Sequence, residues 1–235
     1  MPTEYWFPTP IYHNMIDNYN EVQKELSLIV DDTIFKKYDD PNWDTNACSF
    51  SDGNIGPSLL AKYKPKLFLN ELFENVRLFF KDLNSEHMLE THDIVIDESW
   101  LARTRKNEYH HKHAHPNSWI SGCLYINADR EKDRITFYND RYNRIDLPTE
   151  NFNAFNSQSW WYSVGTGDIV LFPSYLTHMV EQTVSTETRV SIAVNTFLKG
   201  YIGDEYSLTG LHLKEQNSDV EIRTTPRPDG QGGGY

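Results

Sequence analysis

The stretch HHKHAHPNSWISGCLYIN, residues 110–127, decides the fold. It reads as two strands, Tyr109–His115 and Ile120–Asn127, in which the side-chain period is two. The same period starts near residue 93 and recurs in Ile94–Arg103, Arg134–Tyr138, Asp168–Pro173, Met179–Val184 and Val190–Phe197. The spacing is that of antiparallel hairpins. There is no βαβ alternation and no glycine-rich strand-to-helix turn, so a dinucleotide or P-loop fold finds no support.

Upstream the period lengthens. Asp17–Asp31 carries Val22, Leu26 and Ile29 at helical spacing, with Asp17 or Asn18 available as a cap. Leu69, Leu72, Phe73, Val76, Phe79, Phe80 and Leu83 form a second apolar stripe. It predicts a helix packed on the outer face of a sheet. Residues 5–12 suit an edge strand or an extended entry, and residues 32–57 read as irregular connection. Residues 139–163 are an aromatic, Asn-rich excursion that either covers a site or caps the barrel. Residues 1–200 therefore read as one domain, with helical support over 17–85 and a barrel core over 93–198. Residues 201–235 read as a polar tail, mobile from Pro226 onward.

Composition narrows the function classes. The chain has 235 residues, 38% hydrophobic and 14% aromatic, which is enough for a core. Twenty-two Lys and Arg against thirty-four Asp and Glu give a net charge of −12, which disfavours a phosphate-backbone binder. Cys48 and Cys123 are the only cysteines, too few for a disulfide framework, and read as reduced thiols. No apolar run is long enough to span a bilayer, and the first residues lack the regions of a signal peptide. The expectation is a soluble, cytoplasmic protein.

The chemistry lies in three histidines and one arginine. On a strand, i and i+2 share a face, so His113 and His115 project side by side. Neutral imidazole is the commonest transition-metal ligand, and His178 supplies a third from another strand. Such a set leaves coordination positions open, as an oxygen-activating iron needs. Arg189 and Ser191 repeat the i, i+2 logic and offer a carboxylate a two-pronged contact plus a hydroxyl. The short turn 185–188 predicts a hairpin, which makes the His178 and Arg189 strands neighbours. The bland readings are a solvated His-rich face, and an Arg189 paired with Glu187 or Glu181.

Several segments together resemble a known family. They are Trp100, Tyr109, HAHPNS at 113–118, SGCLY at 121–125, GDIVLFPSYLTH at 167–178 and RVSIAVN at 189–195, with the aromatic opening WFPTPIY at 6–12. They are similar to a family of Fe(II)/2-oxoglutarate-dependent oxygenases with HxHPxSxxSGxxY, FPSxLxH and RxSxxxN elements. The likeness spans roughly residues 5–200. It implies a mainly β fold, a double-stranded β-helix (jelly-roll) with flanking N-terminal helices. It also implies Fe(II) on His113, His115 and His178, and 2-oxoglutarate bound with Arg189, Ser191 and Tyr125. O2 would convert 2-oxoglutarate to succinate and CO2, and a ferryl would abstract hydrogen from an organic or peptidyl substrate, most simply to hydroxylate it. The wider superfamily has a carboxylate where His115 stands. If His115 is not a ligand, a water fills its place, since Glu108 and Asp129 are poorly placed by strand parity.

Two other readings compete. Gly167, Pro173 and His178 fit the second motif of a three-histidine cupin dioxygenase, but Tyr175 and Gln182 replace its glycine and asparagine. The other is a non-enzymatic jelly-roll module, its histidines incidental and its aromatics (Trp119, Trp160, Trp161, Tyr162) lining a groove.

Overall fold

Two antiparallel sheets carry the chain, and the computed structural model describes residues 6–37, 44–51, 58–83, 93–140, 149–204, 206–213 and 221–222. The elements are β1 (Tyr12–Met15), α1 (Tyr19–Asp32), β2 (Phe35–Lys36), β3 (Ser49–Ser51), α2 (Leu59–Tyr63), α3 (Lys66–Asp82), β4 (Asp93–Thr104) and β5 (His110–His113). They continue with β6 (Ile120–Asn127), β7 (Arg134–Tyr138), β8 (Ser159–Ser163), β9 (Asp168–Pro173), β10 (His178–Val180), β11 (Arg189–Ile202), β12 (Leu211–Leu213) and β13 (Glu221–Ile222). The major sheet runs β1-β9-β6-β11-β4-β3-β2, with β12 on β11 and β13 on β4. The minor sheet runs β5-β10-β7-β8.

The major sheet is buried on both faces, and its alternation sorts the side chains. Leu124, Ile126, Ile169, Leu171, Ile192 and Val194 point outward and pack under α1 and α3. Tyr125, Val170 and Phe172 point inward and meet Ile135 and Phe137 of the minor sheet. The space between the sheets holds the site. The fold is mainly β, as expected, with helices on the outer face.

The helices form where the stripes predict them. Val22, Leu26 and Ile29 of α1 are buried, as are Leu72, Val76, Phe79 and Phe80 of α3. Each such side chain contributes roughly 1.5–3 kcal/mol on burial. Leu83 departs from the stripe: it follows α3 and is 40% exposed. Pro65 cannot cap α3 with a side chain, and the Glu25 carboxylate of α1 does so instead. It accepts the N–H groups of Leu67 at 3.3 Å and Phe68 at 3.0 Å, a charge suited to the positive end of the helix. Buried Asn75 ties α3 to β1, accepting from the Tyr12 hydroxyl at 2.9 Å and the Asn14 amide at 3.0 Å.

Three local expectations need correction. The entry strand is Tyr12–Met15 rather than residues 5–12, because those four residues pair with β9. The supposedly irregular segment 32–57 contains β2 and β3, which extend the sheet beyond β4. These strands are too short to show a period. The strand expected at Met179–Val184 ends at Val180. Past residue 200, β11 runs on to Ile202 and β12 folds back onto it. The tail from Pro226 lies outside the described residues, as do residues 141–148 of the aromatic excursion. Among the described residues no helix is long and apolar enough to cross a membrane.

Gly122 is fixed by contact. A Cβ there would lie 2.8 Å from the Val170 carbonyl oxygen and run into the Leu171 side chain. Gly122→Ala must push β6 from β9, so it is expected to destabilise the protein by about 1–3 kcal/mol. Thermal unfolding measures this, and an unchanged Tm would refute the close approach.

Candidate metal centre

β5 and β10 pair antiparallel with His113 opposite His178. Cross-strand partners sit close enough for their side chains to touch, and the two ring centroids are 4.4 Å apart. His115 arrives differently from the i, i+2 expectation. β5 ends at His113, and His115 lies in the following turn. Its backbone N–H donates to the Ser174 carbonyl at 2.9 Å, which docks the turn on the β9–β10 connection. Its ring then sits 4.9 Å from His113 and 5.1 Å from His178. One nitrogen from each of the three lies within 4.8 Å of the others.

Hydrogen bonds orient two of these rings. The Nδ1 of His113 lies 2.7 Å from the His111 carbonyl, and that of His178 lies 2.9 Å from the Leu176 carbonyl. A carbonyl only accepts, so both Nδ1 atoms carry the proton and both Nε2 lone pairs stay free. The His115 Nδ1 faces the Asn195 amide at 3.4 Å, and Ser121 connects Asn195 to Ser174 through bonds of 2.8 Å. Burial lowers the basicity of all three rings. His178 is pushed down to about 3 and His115 to about 4, by desolvation first and then by neighbouring imidazoles. His113 shifts the same way for the same first reason. Three neutral imidazoles, two of them held with Nε2 free, fit a divalent transition metal once the long contact of His115 with Asn195 gives way. Glu108 and Asp129 are engaged elsewhere, with Lys37 at 2.8 Å and Lys132 at 2.9 Å respectively.

The same pocket continues to Arg189, past Tyr125 and Ser191. Arg189 is 3% exposed. Its Nη1 donates to the Arg134 carbonyl at 3.0 Å and its guanidinium lies over the Tyr125 ring at 4.8 Å. Neither expected acid pairs with it: Glu181 binds Arg134 instead. Among the described residues no carboxylate is within ion-pair distance of Arg189. A buried permanent charge without a counter-charge is costly, and an anion in the pocket would relieve that cost. The Tyr125 hydroxyl, fully buried, has the Cys123 thiol at 3.1 Å as its neighbour. Burial raises its pKa well above the usual value, so it stays a hydrogen-bond donor.

The predicted hairpin between the His178 and Arg189 strands does not form. β10 belongs to the minor sheet and β11 to the major one. The connecting Thr183 bonds its backbone to Asn107 at 2.9 Å and Glu108 at 3.0 Å, the turn between β4 and β5. Arg189 therefore meets the histidines across the barrel. Of the aromatics considered, Trp100 lines the pocket 5.6 Å from His115. The Tyr109 hydroxyl instead donates to Asp44 at 2.9 Å, and Trp119 stacks on Phe80. Sequence reading left two neighbours of the centre without a role: Asn195, which the RxSxxxN element contains, and His110, whose inward aim has no sequence signal.

The geometry agrees with the comparisons. A family model described as "Putative 2OG-Fe(II) oxygenase" matches residues 98–195, from β4 to β11. The match covers less than half of the chain, and it makes that stretch similar to the 2OG-Fe(II) oxygenase family. Solved structures that resemble the chain include a 2OG-Fe(II) oxygenase family oxidoreductase from Burkholderia pseudomallei, with 10% identity, TM-score 0.52 and coverage of 78% of this chain and 83% of that one. Another is HygX from Streptomyces hygroscopicus, solved with nickel, 2-oxoglutarate and hygromycin B, with 12% identity, TM-score 0.54 and coverage of 80% and 82%. A third is the carbocyclase SnoK from nogalamycin biosynthesis, with 12% identity, TM-score 0.52 and coverage of 80% and 79%. At these identities the likeness is one of fold, and it makes the two facing sheets a double-stranded β-helix. No curated protein matches the chain.

The depressed imidazoles set a pH dependence. In the unfolded chain they protonate near 6.5, whereas folded His178 does so only near 3. Between those values the unfolded state binds more protons, so stability present above pH 6.5 is lost as pH falls. The denaturation midpoint of the metal-free protein should fall between pH 7 and 4, and less steeply in His178→Gln. Equal slopes would contradict the assignment.

Proposed function

We propose that this domain is an oxygenase that uses Fe(II) and 2-oxoglutarate, and that it hydroxylates an organic or peptidyl substrate, such as a prolyl or other amino-acid side chain. One observation carries the reading. A single pocket holds three converging neutral imidazoles at one end and a buried, uncompensated arginine at the other. His113, His115 and His178 would hold the metal. Arg189 would take the distal carboxylate of 2-oxoglutarate, with Ser191 and the Tyr125 hydroxyl beside it. Bound there, Fe(II) supplies O2 activation coupled to decarboxylation of 2-oxoglutarate to succinate and CO2.

The chain's own residues supply binding, orientation and exclusion of water. The paired Nδ1–carbonyl bonds keep two rings aimed. The backbone bond to Ser174 holds the turn of the third. Ile135, Phe172 and Val180 provide apolar walls that strengthen the contact of Arg189 with an anion. Trp100 lies at the His115 end, where a substrate would approach. Hydroxylation is adopted because it requires no additional group from the chain. Solved neighbours include an epimerase and a carbocyclase, so the pocket fold itself admits other outcomes. A three-histidine dioxygenase without a cosubstrate would use this arginine only for the carboxylate of its own substrate, and it would release no succinate.

Arg189→Ala tests the reading. Iron content should be unchanged. Succinate release from 2-oxoglutarate under oxygen should fall by about a hundred-fold or more, the scale for truncating a buried charge partner. His178→Ala should lose iron instead. Normal succinate release by the Arg189 variant would overturn the cosubstrate assignment.

A further inference from the structure

β5 and β10 pair irregularly. His113 faces His178, but Val180 faces His110, so three steps along β5 match two along β10. Strict alternation would turn His110 away from the pocket that His113 enters. The bulge cancels this and brings both rings inward, 4.3 Å apart between centroids. Bulges commonly re-aim a side chain beside an active site.

The register relates His110 to β11. Its ring meets Phe50 edge-on at 5.0 Å. Phe50 pairs with Ala102, and Ala102 pairs with Ser191. Arg189 pairs with Thr104, one inward-facing position deeper. His110 therefore lines the same pocket as Ser191 and Arg189, with its ring against His113 and within electrostatic reach of the guanidinium. Among the described residues its ring nitrogens have no hydrogen-bond partner. A largely buried imidazole whose polar atoms open into the pocket that holds Arg189 is placed to bond a ligand there.

We infer that His110 is a cosubstrate-binding residue, donating a hydrogen bond to the distal carboxylate of 2-oxoglutarate alongside Arg189. The inference rests on the function proposed above. It gives the arginine a second donor on the opposite sheet, so the carboxylate is gripped from both sides of the barrel. A rival role exists on the same residue, because His110, His111 and His113 also lie close enough to share a cation. Yet His113 has one free nitrogen, already directed with His115 and His178.

Calorimetric titration of the Fe(II)-loaded protein without oxygen tests the assignment. The ligands are 2-oxoglutarate and oxalate, which chelates a metal but has no distal carboxylate. His110→Phe keeps a ring against Phe50 and removes the donor. It should weaken 2-oxoglutarate roughly ten- to a hundred-fold while leaving iron content and oxalate affinity unchanged. His110→Gln, which restores a donor, should recover much of the loss. Unchanged 2-oxoglutarate affinity, equal weakening of oxalate, or loss of iron would each overturn the inference. Iron-loaded native protein that binds oxalate but not 2-oxoglutarate would overturn the parent reading, and this one with it.

Discussion

The pairing of β5 with β10 is the constraint on which the site depends. It is a short ladder, with β10 only three residues long. It sets His113 against His178 at a separation no loop could hold as firmly, because two backbones are fixed by the same hydrogen bonds. Everything else about the centre is arranged around that pair. The turn carrying His115 is docked on Ser174 to bring in a third ring. The bulge within the ladder adds a fourth imidazole to the same pocket.

The major sheet supplies the other half. Its outer face is covered by α1 and α3, which leaves its inner face free to carry polar groups at chosen positions. β11 shows the division most clearly. Ile192 and Val194 anchor it under the helices, while Arg189, Ser191 and Asn195 face the minor sheet. Burying Arg189 without a counter-charge costs stability, partly offset by the Arg134 carbonyl and the Tyr125 ring face. The remaining deficit is what a bound dicarboxylate would relieve. Stability spent in this way is characteristic of a functional pocket.

Much of this was legible in the sequence, and the exceptions have physical reasons. The period-two segments located β4, β6, β7, β9 and β11, and the helical stripes located α1 and α3, because each buries one regular face. The three histidines, Arg189 and Ser191 were all named from spacing, and they do meet. The route by which they meet was not legible. His115 is held by a turn and a backbone bond to Ser174, where parity along one strand had been expected to place it. A short connection suggested a hairpin between the His178 and Arg189 strands, yet Thr183 gives its backbone bonds to the β4–β5 turn, and the two strands part to opposite sheets. A bulge leaves no mark on composition, so the inward aim of His110 was invisible.

The most direct test of the account is optical. Fe(II)-loaded protein is kept free of oxygen, 2-oxoglutarate is added, and the visible spectrum is recorded. The account predicts a metal-to-ligand charge-transfer band that saturates with 2-oxoglutarate, because the chelating end reaches an open metal held by three imidazoles while Arg189 takes the far carboxylate. A protein that binds iron at His113, His115 and His178 but gives no band would contradict it.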